Sequence, residues 1–236
     1  MNIVKPDAAT KCKALVFGPG GHGKTYFLGT ADDDPRTSPT LFLAWEAGLH
    51  TLVGRDIDTV IINDWTEYNE AYEELARPDS AYRSVCVDSL SETQTGGLLN
   101  LLSTPNPNRV NNDSLERGDW GVILIQMRRF VREFKTLGMH VFMSALSKSD
   151  TDPREGRIIT PSFSGQFADE VIGMFDVVGY MAEVTEGEHF ERQLLLHHPK
   201  YRVKARTPMG IVAPDEIVDP DVTKLLDALG YPNEGE

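Results

Sequence analysis

The stretch that decides the fold is KALVFGPGGHGKT, residues 13–25. Its first five residues are apolar enough for a buried strand, and a helix is predicted to open at Gly23 and to run to Leu28. Between the two, glycines at 18, 20, 21 and 23 let the backbone approach an anion closely and turn several N–H groups toward it. The stretch therefore predicts a phosphate-binding loop between a strand and a helix.

The last two residues of this loop define its chemistry. Lys24 is predicted to reach the β- and γ-phosphates of a nucleotide, and the Thr25 hydroxyl to complete the shell of a Mg²⁺ ion. ATP and Mg²⁺ are therefore the expected ligands, and an accidental glycine-rich loop is the alternative. The residues expected to bind the nucleotide are Gly18, Pro19, Gly20, Gly21, His22, Gly23, Lys24, Thr25 and Tyr26.

The rest of the chain alternates between strand-like and helix-like segments. Strands are predicted at 40–44, 59–62, 84–87 and 139–146, and helices at 67–76, 91–102 and along an apolar stripe from Trp120 to Leu137. A short helix at 166–173 precedes strand-like runs at 176–184, 190–197 and 201–205, joined by hairpin turns. This pattern predicts an α/β fold with a mainly parallel sheet, antiparallel strands at the C-terminal side, and helices on both faces.

Two segments show neither the helical nor the strand spacing of apolar residues. Residues 103–118 are rich in Asn, Pro and Ser, and residues 147–165 are polar, so both are predicted to be long loops of the kind that usually serves a function.

Length and composition bound the protein class. The chain of 236 residues is expected to form one domain, with a core at about 11–210 and an acidic segment with a short helix at 211–236. A net charge of −13 excludes a surface that is basic all over, so any contact with nucleic acid must use local clusters. Without a long apolar span or a signal peptide, a cytoplasmic protein is expected. Cys12 and Cys86 are expected to be packed, reduced thiols.

Carboxylates for the metal and for the attacking water follow other strands. Asp88 ends the apolar run 85–87 and is the candidate for the Mg²⁺ shell. Many ATPases carry Glu directly after this Asp, but Ser89 stands there in this chain. Glu46, just past the strand at 40–44, is the preferred base, and Glu92 is the alternative, although an acid in a first helical turn needs no catalytic explanation.

The order of these motifs resembles that of RecA-type recombinases and hexameric helicase motors. More closely, the segments DWG at 119–121, ALSK at 145–148 and FADEV at 167–171 are similar to the RecA-like ATPases of bacteriophages, often described as Sak-type single-strand annealing or recombination proteins. The resemblance spans about residues 11–210. It implies an ATPase stimulated by DNA, with Glu46 activating water and Asp88 at the metal.

The same resemblance implies partners and further site residues. Both long loops would face single-stranded DNA, with cations at Arg109, Arg117, Lys148, Arg154 and Arg157. A homo-oligomer, either ring or filament, would place ATP at the subunit boundary, where Lys204 and Arg206 reach the neighbour's ATP; solvated cations on an edge strand are the alternative. Single-strand binding or replication proteins are further candidate partners. Ser144 stands where RecA has a glutamine that senses the γ-phosphate, and its shorter side chain can still hydrogen-bond phosphate or water.

Two other function classes are weighed against this one. An ATP-switched interaction protein, such as a helicase loader, would use the nucleotide to control a protein partner and would show no DNA-stimulated hydrolysis. A small-molecule or nucleotide kinase would transfer the phosphoryl group to a second substrate, for which arginines that clamp that substrate are generally needed.

Overall fold

A computed structural model describes residues 11–45, 49–104, 114–186 and 189–233. Its helices are α1 Lys24–Gly29, α2 Trp65–Leu75, α3 Leu90–Ser103, α4 Arg117–Thr136, α5 Phe167–Met174 and α6 Val222–Ala228, with short 3-10 helices at Thr30–Asp33 and Leu49–Leu52. Its strands are β1 Lys13–Gly18, β2 Thr40–Ala44, β3 Asp58–Ile61, β4 Ser84–Asp88, β5 His140–Asp152, β6 Gly156–Pro161, β7 Val177–Glu186, β8 His189–Leu195, β9 Lys204–Ala205 and β10 Glu216–Val218.

In the described residues these strands form one sheet in the order β10-β8-β7-β1-β5-β4-β2-β3, with β6 paired to β5 and β9 to β7. The six strands from β7 to β3 are parallel to their neighbours along this path, whereas β8 and β10 pair antiparallel. The predicted α/β class, mainly parallel with antiparallel strands at the C-terminal side, is confirmed. The carboxyl ends of β1, β4 and β5 meet at one edge, where ligands of such sheets bind.

Both faces of the sheet are covered, because successive residues of a strand point to opposite sides. In β1, Leu15 and Phe17 join a core built with α2, α3, α4 and α5. Ala14 and Val16 join a second core with α1 and α6. All six residues of β1 are buried, which explains why its sequence is a continuous apolar run.

The long helix α4 follows the predicted apolar stripe except at its start. Ile123, Met127, Phe130 and Phe134 are buried. Trp120, predicted on the same face, is 39% exposed and stands apart from the core. The prediction was wrong there because Trp120 lies in the first turn of the helix, where spacing alone cannot tell whether the core extends that far.

The prediction of a loop at 147–165 was also wrong for most of its length. β5 continues to Asp152 and turns back into β6, with Ser147 opposite Pro161 and Asp152 opposite Gly156. Most side chains of this hairpin outside Ile158, Thr160 and Pro161 are exposed or half-buried. A strand pair exposed on both faces has no alternation of apolar and polar residues, so its sequence resembles a loop. The loop predicted at 103–118 lies partly in residues 105–113, outside the described residues, and α4 already begins at Arg117.

The C-terminal segment packs onto the start of the fold. The strand predicted at 201–205 is reduced to β9, and β10 adds a strand that the sequence pattern did not indicate. Arg36 is buried, forms an ion pair with Asp34 and another with Asp227 at 2.8 Å, and donates to the Tyr231 carbonyl. These contacts fasten the segment after β10 against the turn that follows α1.

Two smaller expectations concern the cysteines and the membrane. Cys12 and Cys86 are free and buried, as predicted, and burial raises the pKa of the Cys12 thiol to about 12. Among the described helices, none has both the length and the apolar composition that crossing a bilayer requires.

Candidate functional site

The phosphate loop connects β1 to α1 as predicted. Gly21 and Gly23 have φ angles of +82° and +84°, a backbone conformation that side chains with a Cβ rarely adopt. Gly23 also lacks room for a side chain, since a Cβ there would lie 2.9 Å from Nε of Arg192. The positive φ angle is the reason that the sequence needs glycine here, and the short contact shows how closely Arg192 lies against the loop.

Lys24 is the buried cation of the loop, with 8% of its surface exposed. Its ammonium donates to the carbonyl oxygens of Gly18 at 3.0 Å and Pro19 at 2.6 Å. Burial lowers the pKa of Lys24, and the negative charge of Asp88 opposes that effect. The ammonium is therefore held beside the loop by two neutral acceptors, which the charged oxygens of a phosphate can replace.

Asp88 is the centre of a three-residue cluster. Thr25 Oγ1 donates to one of its carboxylate oxygens at 2.6 Å, and Ser144 Oγ donates to the other. The sheet brings these residues together, because β5 lies between β1 and β4, with Val16 opposite Ser144 and Val87 opposite Met143. The sequence identified each of the three residues but not the bond between Ser144 and Asp88.

The cluster fits a magnesium ion whose remaining ligands are phosphate oxygens and water. Its donors are a carboxylate and a hydroxyl, the hard oxygen ligands that Mg²⁺ prefers, and Mg²⁺ is usually bound by one or two carboxylates together with substrate phosphates and water. Within the described part of the chain, no group of three or more His, Cys, Asp and Glu side chains could hold a metal by itself. A metal at this site would thus be shared between protein and nucleotide.

A pocket of about 190 Å³ opens above this cluster. It is lined by Gly20, Gly21, Lys24, Thr25, Leu49, Asp88, Ser89, Glu92 and Leu146. Glu92 is half-buried in the first turn of α3, where Ser89 Oγ accepts a hydrogen bond from its N–H at 3.2 Å. The alternative base considered from the sequence is therefore at the pocket.

Glu46, the preferred base, lies outside the described residues. Trp45 before it donates its backbone N–H to the Asp88 carbonyl at 3.1 Å, and its ring lies so close to Gly96 of α3 that a Cβ there would be 1.8 Å away. Leu49 after it lines the pocket. The assignment of Glu46 stays a prediction.

Helix α3 also contacts the base of the β5–β6 hairpin, a link that the sequence did not indicate. Ser91 Oγ accepts the N–H of Leu146 at 3.0 Å and donates to the carbonyl of Ser162 at 3.1 Å. The N–H of Ser164 donates to Gln94 at 2.9 Å. One turn of helix therefore contacts both the pocket, through Glu92, and the hairpin.

The cations predicted to meet DNA differ in their surroundings. Arg109 lies outside the described residues, and Arg117 is exposed at the start of α4. Arg154 and Arg157 are exposed on the hairpin, where Arg157 donates to Ser149 at 2.8 Å. Lys148 is half-buried and donates to the Phe163 carbonyl at 2.7 Å. The hairpin segment 147–161 carries three basic and three acidic side chains, so it offers two outward arginines rather than a basic surface.

Lys204 and Arg206 lie at the amino ends of the parallel strands, whereas Lys24 follows the carboxyl end of β1. β9 pairs with the start of β7, where Val177 lies opposite Ala205, and the same Val177 lies beside Ala14 at the amino end of β1. Arg206 is 3.6 Å from Asp176, and burial together with Arg206 lowers the pKa of Lys204. The two cations are thus remote from the phosphate loop of their own chain.

On the other side of the phosphate loop, His22 and Tyr26 contact side chains that the sequence analysis did not predict. Glu183 of β7 is 3.6 Å from His22 of the loop and 3.6 Å from Arg192 of β8. Tyr26 is 45% exposed, with the Arg55 guanidinium 5.4 Å from its ring centre. Because His22 and Arg192 are 170 residues apart in the chain, local pattern could not have paired them.

Comparisons with known proteins agree with this geometry. The family model described as AAA domain matches residues 10–208, well over half of the chain and the whole described site. A search of curated proteins returned no match. AAA ATPases generally use ATP with Mg²⁺, the ligands that the loop and the Asp88 cluster fit. The chain therefore belongs to the AAA domain family of P-loop nucleotide-binding ATPases.

Proposed function

We propose that this protein hydrolyses ATP with Mg²⁺ and acts on single-stranded DNA in phage recombination or replication. The observation that carries the hydrolytic part is the Asp88 cluster, in which Thr25 and Ser144 bind the two oxygens of one carboxylate next to the Lys24 ammonium.

Lys24 and each residue of the cluster have a role in this proposal. Lys24 exchanges the Gly18 and Pro19 carbonyls for phosphate oxygens and compensates their charge. Thr25 and Asp88 hold Mg²⁺, which supplies charge neutralisation on the phosphates when bound. Ser144 fixes the orientation of the Asp88 carboxylate, as outer-shell hydrogen bonds do for metal ligands generally.

Magnesium-dependent release of phosphate from ATP tests the hydrolytic proposal. Thr25→Val keeps the shape of the side chain but removes the hydroxyl, so we expect a loss of at least about tenfold in turnover, whereas Thr25→Ser should retain most of it. Normal turnover of the Val variant would contradict the assigned role of Thr25.

The attacking water needs a base, and two carboxylates compete for that role. Glu46→Gln keeps size and hydrogen bonding but cannot take a proton, so we expect it to bind ATP and to lose about 10²–10⁴-fold in turnover. Glu92→Gln should stay near wild type. If the two phenotypes are exchanged, Glu92 is the base, in keeping with its place in the pocket.

The single-stranded DNA partner is supported by the β5–β6 hairpin. Its base is hydrogen-bonded to Ser91 of α3, next to Glu92, so a ligand on the hairpin has a short path to the pocket. Arg154 and Arg157 are its exposed cations.

ATPase rates with and without single-stranded DNA, measured at several salt concentrations, test this partner. We expect stimulation that weakens steeply with salt, as binding through phosphates does. Arg154→Ser/Arg157→Ser should lower the apparent DNA affinity, whereas Arg77→Ser, an exposed arginine on the turn after α2, should not. Absence of stimulation, together with a bound replication protein, would favour the helicase-loader alternative.

Assembly into a homo-oligomer is proposed from Lys204 and Arg206. Their position at the amino edge of the sheet leaves them free of their own phosphate loop and available to the ATP of a neighbouring subunit. Lys204→Ala/Arg206→Ala protein mixed with Lys24→Ala protein should recover part of the ATPase activity that each lacks. Normal hydrolysis by the double variant alone would return both cations to a surface role.

A further inference from the structure

A second cavity lies on the other side of the phosphate loop from the Asp88 cluster. Its volume is about 280 Å³, and it shares no lining residue with the pocket at Asp88. Its walls include Gly23, Tyr26, Met181, Arg192, Asp219 and Pro220. Binding sites for small ligands are typically about 300–1,000 Å³, so this cavity suits one part of a ligand whose remainder lies elsewhere.

The sheet order determines which part of a nucleotide can lie there. β5 and β4, with Ser144 and Asp88, lie on one side of β1, and β7 and β8 lie on the other. The Thr25 hydroxyl is bonded to Asp88, so the metal and the terminal phosphates belong to the first side. The sugar and base, at the opposite end of a linear molecule, then extend toward β7 and β8. Gly23 and Tyr26, three residues apart and so on the same face at the start of α1, line the cavity on that side.

The walls of the cavity offer the chemistry of nucleoside recognition. Arg192 lies against Gly23, and its Nε, 3.6 Å from a carboxylate oxygen of Glu183, is buried and makes no hydrogen bond among the described residues. Its guanidinium is 5.2 Å from the centre of the Phe190 ring, and such planar cations stack on aromatic rings, nucleobases included. Met181 and Pro220 are buried apolar neighbours, and Asp219 supplies a carboxylate of the kind that accepts hydrogen bonds from ribose hydroxyls.

The segment that carries Asp219 is fastened to the nucleotide site. The N–H of Asp219 donates to the Arg192 carbonyl at 2.8 Å, and the N–H of Val222 donates to Thr30 Oγ1, just after α1, at 2.9 Å. Asp219 has a φ of +44°, a conformation that Asp, Asn and Gly adopt most readily. The C-terminal segment therefore holds a wall of this cavity at a defined distance from the phosphate loop.

We propose that this cavity binds the base and ribose of the nucleotide whose phosphates lie on the loop, with Arg192 against the base and Asp219 on the ribose. The inference rests on the ATPase function proposed above and extends it. It makes the segment after β8 a determinant of nucleotide affinity.

Affinities for Mg-ATP and for Mg-tripolyphosphate, measured by calorimetry or competition, separate the two ends of the ligand. Wild type should bind ATP at least about tenfold more tightly than tripolyphosphate. Asp219→Gly accepts the same φ but lacks the carboxylate, and we expect it to lose about tenfold in ATP affinity with tripolyphosphate affinity within about twofold. Asp219→Asn retains an acceptor and should recover much of the loss, and Asp79→Asn, an exposed aspartate after α2, should behave as wild type.

Four results would be decisive against the proposals. Equal affinity of wild type for ATP and tripolyphosphate, or a parallel loss of both ligands in Asp219→Gly, would overturn the nucleoside assignment while leaving the phosphate loop intact. Binding of neither ligand by wild type would overturn the ATPase proposal itself. In wild type, photo-cross-linking with 8-azido-ATP should label peptides containing Tyr26, Met181 or Asp219, and labelling confined to other peptides would also overturn the nucleoside assignment.

Discussion

Two lysines of this protein have nearly the same surroundings at opposite edges of the sheet. Lys13 begins β1 and Lys24 follows its end; each is 8% exposed. Lys13 donates to the carbonyls of Leu137 and Met139 as Lys24 donates to those of Gly18 and Pro19. Burial lowers the pKa of both, to about 8 for Lys13, and a nearby aspartate opposes it in each case, Asp176 for Lys13 and Asp88 for Lys24.

What separates the two lysines is the chemistry of the groups beside them. Lys24 lines a pocket beside glycines and a carboxylate that is bonded to two hydroxyls. The carbonyls that hold Lys13 belong to the turn between α4 and β5, and that bond closes the turn onto β1. A buried lysine with a lowered pKa is therefore no sign of function by itself; at Lys24 the sign is the pocket that it shares with glycines and with a carboxylate bonded to two hydroxyls.

The largest expected effect is the loss of function on removing Lys24. Lys24→Ala leaves phosphate charge uncompensated, so we expect ATP hydrolysis to disappear and most ATP affinity to be lost. The fold should survive, because Lys24 itself lines a pocket that water can enter once the side chain is shortened. Phosphate release and thermal unfolding measured side by side check this, and wild-type turnover would end the assignment of the loop.

At the carboxyl edge of the sheet, where the phosphate loop and Asp88 lie, the sequence predicted most of the candidate residues for a physical reason. The loop needs glycines, a lysine and a hydroxyl in a fixed order, and β1 and β4 are buried on both faces, so both signals are local. Thr25 and Asp88 became site candidates in this way, whereas Ser144 was suggested only by the resemblance to RecA. Their mutual hydrogen bonds depend on the strand order, which no local pattern contains.

The features that the sequence did not predict lack such a local signal. The β5–β6 hairpin has no buried face along most of its length, so no period of two marks it. Arg192 meets Gly23, and Arg36 meets Asp227, only after segments distant in sequence have been brought together by the fold. The sequence could propose Lys24 and Thr25 for the phosphates and could name Gly23 and Tyr26, but it could not place Arg192 beside them.

The next expected effect is a loss of stability on replacing Lys13, the lysine at the start of β1. Lys13→Met keeps an apolar stem but leaves the Leu137 and Met139 carbonyls without their donor, so the free energy of unfolding should fall by about 1–3 kcal/mol. Urea unfolding measures it, with the exposed Lys200→Met as control. ATP turnover of the folded variant should stay near wild type, and a selective loss of turnover with unchanged stability would mean that the two lysines are not separated as described.

The smallest expected effect is a pH dependence next to Lys13. His140 is buried, its Nδ1 accepts the N–H of Cys12 at 3.1 Å, and burial, aided by the charges of Lys11, Lys13 and Arg36, lowers its pKa to about 3. The unfolded chain takes up this proton below about pH 6.5, and the folded protein does so only near pH 3, so stability falls as pH drops through that window.

The His140→Asn variant isolates this effect, because the amide oxygen of Asn can accept the same N–H without titrating. Wild type should be the more stable protein at pH 7, and its advantage should shrink by about 1–2 kcal/mol between pH 7 and pH 5, since each pH unit in the window is worth about 1.4 kcal/mol for one proton. Urea unfolding at pH 7, 6 and 5 gives the difference directly. His197→Asn, at an exposed position, should run parallel to wild type. If the free energy of unfolding of the His140 variant also changes with pH in parallel with wild type, the fold does not hold the imidazole neutral. Solvent would then reach the amino edge of the sheet more readily than the hydrogen bonds of Lys13 imply.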